Sequence, residues 1–131
     1  MNRKTIREWA FKFLYELEVH KTFTTEQLEI FLENNEIKDE EAKEYILAVV
    51  EGVEKNKEKI TALISNNLKK DWQIERIAKI DLALLKLSIY EILYTDIPFK
   101  AAINEVIELA KKYGDDASPA FINGILANVV K

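Results

Sequence analysis

Residues 74–94, IERIAKIDLALLKLSIYEILY, decide the fold because their pattern is that of a buried helix. Drawn as an α-helix, the stretch sends its large aliphatic side chains in almost every direction instead of along one stripe. These side chains are Ile80, Leu82, Leu85, Leu87, Ile89, Ile92 and Leu93. Neighbours must cover such a helix on several sides, so we expect it to be the central helix of a bundle. Its charges exclude a membrane span, although its length would suffice.

The polar residues of this helix are not spread evenly. Asp81, Ser88 and Glu91 follow the spacing i, i+7, i+10, which places them in one narrow sector of the helix. Because the other sectors are apolar, we expect this sector to be the one surface of the central helix that meets water or a partner.

Composition favours an all-α protein. The 131 residues are 48% hydrophobic and 32% charged, which suits one compact domain, expected over residues 1–131. Three glycines and two prolines leave little turn chemistry for β-hairpins. With no cysteine and one histidine, the chain offers neither a disulfide nor a thiolate or histidine metal site, and no cofactor is expected. The start of the chain lacks an apolar signal core, so a cytoplasmic protein is the simplest expectation.

Apolar periodicity predicts seven helices, with the central one fifth. Thr24 with Gln27 has the spacing of a capping box at the start of the second helix. Gly52 suggests a close helix approach within the third, Gly114 a left-handed end to the sixth, and Ser118 an N-cap for the seventh. The predicted ranges are 3–20, 24–35, 39–55, 56–68, 74–94, 100–113 and 118–129.

Charge is unevenly distributed along the chain. The net charge is −4, yet Arg3, Lys4 and Arg7 crowd the first two turns of the first helix. Cations at a helix N-terminus oppose the helix dipole, which favours acids there. Two interpretations remain open from the residues: these cations bind phosphate groups, or they form part of an ordinary solvated helix face.

Residue patterns that carry catalysis are missing from the sequence. There is no glycine-rich phosphate loop, no H-E-x-x-H and no G-x-S-x-G, so we expect no enzyme. Asn104 is predicted to be a buried residue bonded to backbone, and Gly124 a point of helix contact. Phe121 is either a core residue or an exposed platform on which a nucleobase stacks.

Four motifs in order resemble the NusB family of bacterial transcription antitermination factors, over essentially the whole chain. The motifs are R-K-x-x-R-E at 3–8 followed by Ala10 and Leu14-Tyr15, D-x-x-x-L-x-x-x-x-Y-E at 81–91, P-x-K-x-A-I-N-E-x-x-E-L-A-K at 98–111, and F-x-N-G-x-L at 121–126. The resemblance implies an all-helical protein that binds the boxA element of ribosomal RNA leader transcripts together with the ribosomal protein NusE. It also implies a place in the RNA polymerase antitermination complex, with other Nus factors, that promotes rRNA transcription.

The resemblance assigns roles to particular residues. By position, Arg3, Lys4 and Arg7 match the basic N-terminus through which the family contacts RNA, and Tyr15 and Phe121 fall where it also approaches RNA. The NusE-facing side is matched by Asp81, with Ser88 and Glu91 in the same polar sector of the central helix. Pro119-Ala120 and Ala117 depart from the more polar residues usual in the loop before Phe121.

A second function stays open at this point. The chain could be a protein-interaction module, an adapter or homodimer, in which the polar sector docks a partner and the N-terminal cations have no RNA to bind. Family members occur as monomers and as homodimers. Removal of Arg3, Lys4 and Arg7 would leave the activity of such a module intact, which separates the two hypotheses.

Overall fold

The computed structural model describes residues 1–130, which form seven α-helices and contain no β-strand. The all-α prediction is confirmed. The helices are α1 Arg3–His20, α2 Thr25–Asn34, α3 Glu40–Lys55, α4 Lys57–Asn66, α5 Lys79–Tyr94, α6 Phe99–Tyr113 and α7 Ser118–Val129.

Helix α5 is the centre of the bundle, as the sequence predicts. Ala83, Leu84, Leu85, Leu87 and Ile89 are fully buried on different sides of it. Five other helices pack against α5, namely α1, α3, α4, α6 and α7. This arrangement explains why apolar side chains project from the helix in almost every direction.

The predicted start of the central helix is wrong. Residues 74–76 form one turn of 3₁₀ helix, and α5 begins only at Lys79. Ile77 and Ala78 between them have extended backbone, with ψ of 134° and 139°. The extended segment carries the side chain of Ile77 into the core, where it is 7% exposed, so packing overrides local helix propensity here.

Helix ends are partly as predicted. Thr24 and Gln27 form the capping box at the start of α2. The prediction of Ser118 as N-cap is wrong, because Ser118 is the first residue of α7 and Asp115 Oδ1 accepts hydrogen bonds from the backbone N–H groups of Ala117 and Ser118. The N-cap position is held by Ala117, and the hydroxyl of Ser118 accepts instead from the backbone N–H of Asp115.

At two positions, a neighbouring side chain leaves no room for a residue larger than glycine. A Cβ on Gly52 would overlap the ring of Tyr90, which confirms the predicted close approach of α3 to α5. Gly114 does not have the predicted left-handed conformation, since its φ is −89° and its ψ −170°. Its requirement for glycine comes instead from Ser118, whose side chain occupies the position that a Cβ would need.

Candidate nucleic-acid interface

The basic tip, defined as Arg3, Lys4 and Arg7 at the start of α1, combines exposed and buried cations. Arg3 and Lys4 are exposed, and Asn2 caps the helix before them. Lys4 Nζ lies 2.7 Å from Oε2 of Glu108 on α6. The hydrogen bond to Glu108 and its charge raise the pKa of Lys4 above the ordinary value. The first turn of α1 therefore carries two solvent-facing cations, one of which is already paired.

Arg7 differs from the other two cations of the basic tip. It is 4% exposed, and its Nε donates to both carboxylate oxygens of Glu91, at 2.9 and 3.1 Å. Tyr45 donates its hydroxyl to the same carboxylate, and Arg7 Nη1 lies 3.8 Å from Oε2 of Glu105. The prediction of a surface cluster of three cations is wrong for Arg7, because a buried carboxylate on α5 requires a buried counter-charge.

The polar sector of α5 is not an open surface. Ser88 and Glu91 are 0% exposed, and Asp81 is 7% exposed. Ser88 Oγ donates to the backbone carbonyl of Leu84, one turn back in the same helix. The expectation that this sector meets water or a partner is therefore wrong for Ser88 and Glu91, because both are fully buried in the bundle, where α1 and α3 supply the partners of Glu91.

Asp81 is the exception among the carboxylates of α5. Its Oδ1 is buried and has no hydrogen-bond partner among residues 1–130. Burial raises the pKa of Asp81 above the ordinary value. A hydrogen bond from the side chain of Ser118 works against this rise, and the negative charge of Asp115 adds to it. Asp81 and Asp115 line a cavity together with Tyr15, which is 37% exposed. Two residues predicted for different ligands, Tyr15 for RNA and Asp81 for NusE, thus lie at one cavity.

Phe121 lies in a second cavity, which we call the aromatic groove. This groove has a volume of about 460 Å³ and separates α7 from the segment that follows α4. The rings of Phe121 and Trp72 have centroids 6.1 Å apart and planes inclined by 34°, and Trp72 is 51% exposed. The groove is lined by Asn67, Leu68, Lys69, Trp72, Ala120, Phe121, Gly124, Ile125 and Asn128.

Trp72 and Lys69 are candidate functional residues that the sequence analysis missed. They belong to the segment Lys69-Lys70-Asp71-Trp72, whose backbone turns at Asp71 with a φ of 73°. The sequence signal available for this site was a tryptophan close to two lysines, in a segment predicted to connect two helices. It combines a stacking surface with cations, the pairing used by proteins that bind single-stranded nucleic acid.

Two predictions near these surfaces are wrong. Asn104 is exposed on α6 and is not the buried residue expected. Gly124 is not the predicted point of helix contact, since a Cβ built on it would meet nothing within 4 Å beyond its chain neighbours and the backbone of its own helix. Both positions lie on the outside of helices whose opposite faces form the core.

The described residues form neither a candidate metal site nor a helix that could cross a membrane. Residues 1–130 hold no group of three or more His, Cys, Asp or Glu side chains placed to bind a metal ion. Over the same residues, none of the helices combines the length and the apolarity that crossing a membrane requires.

The fold and these surfaces define the class of protein. It is an all-helical bundle around a buried central helix, with cations at the start of α1 and an open aromatic groove. The chain belongs to the NusB family, whose model matches residues 4–131.

Relatives by sequence match the whole of this chain and at least nine tenths of their own length. The transcription antitermination protein NusB of Clostridium novyi (strain NT) is 48% identical over 133 residues, covering 100% of this chain and 99% of that protein. The protein of the same name from Acetivibrio thermocellus is 48% identical over 132 residues, covering 100% and 90%.

Solved structures share the fold. T. maritima NusB superimposes with a TM-score of 0.86 at 36% identity, over 98% of this chain and 90% of that one. A chain from the crystal structure of antitermination factors NusB and NusE in complex with dsRNA gives a TM-score of 0.86 at 26% identity, over 97% and 94%. The all-helical arrangement described above is therefore the arrangement of the family.

Proposed function

We propose that this protein is a transcription antitermination factor that binds the boxA element of ribosomal RNA leader transcripts together with NusE. Within the RNA polymerase antitermination complex and with other Nus factors, it would promote rRNA transcription in the cytoplasm, without catalysing a reaction. Family membership and the relatives named above support this proposal.

The observation that carries RNA binding is the aromatic groove. Trp72 exposes half of its surface beside Phe121, and Lys69 lines the same groove. Exposed aromatic rings stack unpaired bases, and each stacked base contributes about 1–3 kcal/mol. A nearby lysine can hold the phosphate that accompanies the base. The groove therefore suits single-stranded RNA better than a duplex, whose bases are already stacked.

The three cations of the basic tip have two different roles in the proposal. Arg3 and Lys4 contact the RNA backbone from the exposed side of α1. Arg7 holds the start of α1 against α5 through Glu91, so it positions the two exposed cations. With three phosphate-contacting cations, Arg3, Lys4 and Lys69, the affinity should fall about fourfold when the salt concentration doubles.

Asp81 and Tyr15 supply the proposed contact with NusE. Oδ1 of Asp81 is a buried acceptor with no donor among residues 1–130, and such a group is costly unless a donor arrives. A hydrogen-bond donor of NusE, brought into the cavity beside the exposed ring of Tyr15, would satisfy it. Tyr15 would then lie where the RNA and protein surfaces meet.

The test is the fluorescence anisotropy of a labelled boxA-type RNA titrated with this protein, alone and with NusE. We expect salt-sensitive binding that NusE strengthens, and weaker binding of an RNA of the same length and scrambled sequence. If neither RNA binds under any condition while NusE does, the protein is an interaction module and the RNA proposal fails.

A further inference from the structure

Gly124 occupies a position where the fold itself gives no reason for glycine. It is the seventh residue of α7, well inside the helix, where glycine is less favourable than alanine. None of the described glycines has a positive φ, so the backbone does not require it. A Cβ at this position would meet open space, whereas a Cβ on Gly52 or Gly114 would overlap a neighbouring side chain.

The open space beside Gly124 belongs to the aromatic groove. Gly124 lines the groove together with Phe121 one turn earlier and Asn128 one turn later. Asn67 and Lys69 lie on the opposite wall, after α4. A side chain on residue 124 would therefore project into the groove without disturbing the core.

We infer that Gly124 keeps the aromatic groove open for one unpaired nucleobase of the bound RNA and so determines what the groove accepts. The groove combines a stacking surface at Trp72 and Phe121 with a cation at Lys69. The amide group of Asn128 can donate and accept hydrogen bonds, as the edge of a base requires. The amide nitrogen of Asn67 already donates to the backbone carbonyl of Leu63, so Asn67 offers its side-chain oxygen as an acceptor. The inference rests on the proposed function and deepens it by assigning a residue and a ligand class to this groove.

The inference predicts effects of opposite sign on stability and on binding. Gly124→Ala should raise the thermal midpoint of unfolding by about 3–5 °C, because alanine is the better helix former and meets no neighbour. Gly124→Leu should also fold at least as stably as the wild type. Its affinity for single-stranded boxA-type RNA should fall on the order of tenfold or more, since a base can no longer stack in the groove. A purely structural role for Gly124 would lower stability and affinity together.

The matched control is Ala127→Leu, which adds the same side chain to an exposed position of α7 outside the groove lining. Thermal unfolding and RNA anisotropy would be measured for all four proteins. The inference stands if Gly124→Leu alone loses affinity while its midpoint is maintained. It is overturned if Gly124→Leu binds as the wild type does, if Ala127→Leu loses as much, or if Gly124→Ala unfolds at a lower temperature. Should the wild type itself bind no RNA, the proposed function fails, and this inference fails with it.

Discussion

Each end of α5 carries one carboxylate on the same side of the helix, and the two carboxylates differ in their hydrogen-bond partners. Glu91, near the C-terminal end, accepts hydrogen bonds from Arg7 and Tyr45 and is completely buried. Asp81, near the N-terminal end, is almost as deeply buried but keeps an oxygen without a partner among residues 1–130. The first end is internally complete. The second end leaves a buried acceptor without a partner among residues 1–130, and under the proposed contact with NusE a donor of that protein would satisfy it.

The same contrast separates the basic tip from the aromatic groove. Sequence pattern draws attention to the cations of α1, yet one is buried in an ion pair and another is paired with Glu108. The sequence pattern marks the groove only weakly. In the structure, however, Trp72 is half exposed there, and a Cβ on Gly124 would meet open space. The folded chain therefore identifies candidate residues that the density of charge along the sequence does not.

The largest expected effect is the loss of the ion pair between Arg7 and Glu91. Arg7→Ala leaves a buried carboxylate without its counter-charge, so we expect the free energy of unfolding to fall by about 3–5 kcal/mol. Denaturation by urea measures this change. Glu105→Ala is the control, because Glu105 is only partly buried and its oxygen lies 3.8 Å from Arg7; a loss of less than about 1 kcal/mol is expected there. An Arg7→Ala protein of unchanged stability and reduced RNA affinity would contradict the account, because Arg7 would then be an RNA contact.

A smaller effect, confined to binding, is expected at the groove. Trp72→Ala should weaken binding of single-stranded RNA by about 1–3 kcal/mol, the contribution of one stacked base. Trp72→Phe keeps an aromatic ring and should retain most of the affinity, as measured by anisotropy. Because half of the Trp72 surface is already exposed, the stability loss should be well below that of Arg7→Ala. Equal RNA affinity for the alanine variant and the wild type would remove the groove from the proposed interface.

The buried carboxylate of Asp81 predicts a dependence of stability on pH. Because the pKa of Asp81 is raised in the folded protein, the unfolded chain releases this proton first, and stability falls as the pH rises from the ordinary value to the folded one. Asp81→Asn should therefore stabilise the protein, on the order of 1 kcal/mol, at about pH 7 and have little effect at about pH 3. Urea denaturation of both proteins at the two pH values measures the difference. Destabilisation by Asp81→Asn at neutral pH would show that the carboxylate is satisfied after all.

The smallest expected effect concerns Lys4. Lys4→Ala should leave stability unchanged, since the pair with Glu108 is largely exposed to water. The slope of log affinity against log salt should become shallower by about 0.7, the value for one phosphate contact with a single strand. Anisotropy titrations over a range of salt concentrations measure the slope. A slope identical to that of the wild type would mean that Lys4 stays paired with Glu108 when RNA binds.

Local pattern in the sequence predicts the helices and the central position of α5, because burial on all sides leaves a direct trace in residues 80–93. It could not predict which charges meet. Arg7 and Glu91 are separated by 84 residues, and only the packing of α1 on α5 brings them together. The groove was missed for a similar reason, since Trp72 and Phe121 come from distant segments. Phe121 itself was predicted, but through family resemblance and not through its spacing.

The most direct test of the account is the emission of Trp72 during RNA binding. The sequence has two tryptophans, so Trp9→Phe leaves Trp72 as the only one, and Trp9 lies outside the groove lining. We expect single-stranded boxA-type RNA to quench Trp72 emission, with the same midpoint that anisotropy gives for binding, because a base stacks on the ring. RNA that binds by anisotropy and leaves Trp72 emission unchanged would contradict the claim that the aromatic groove holds a base.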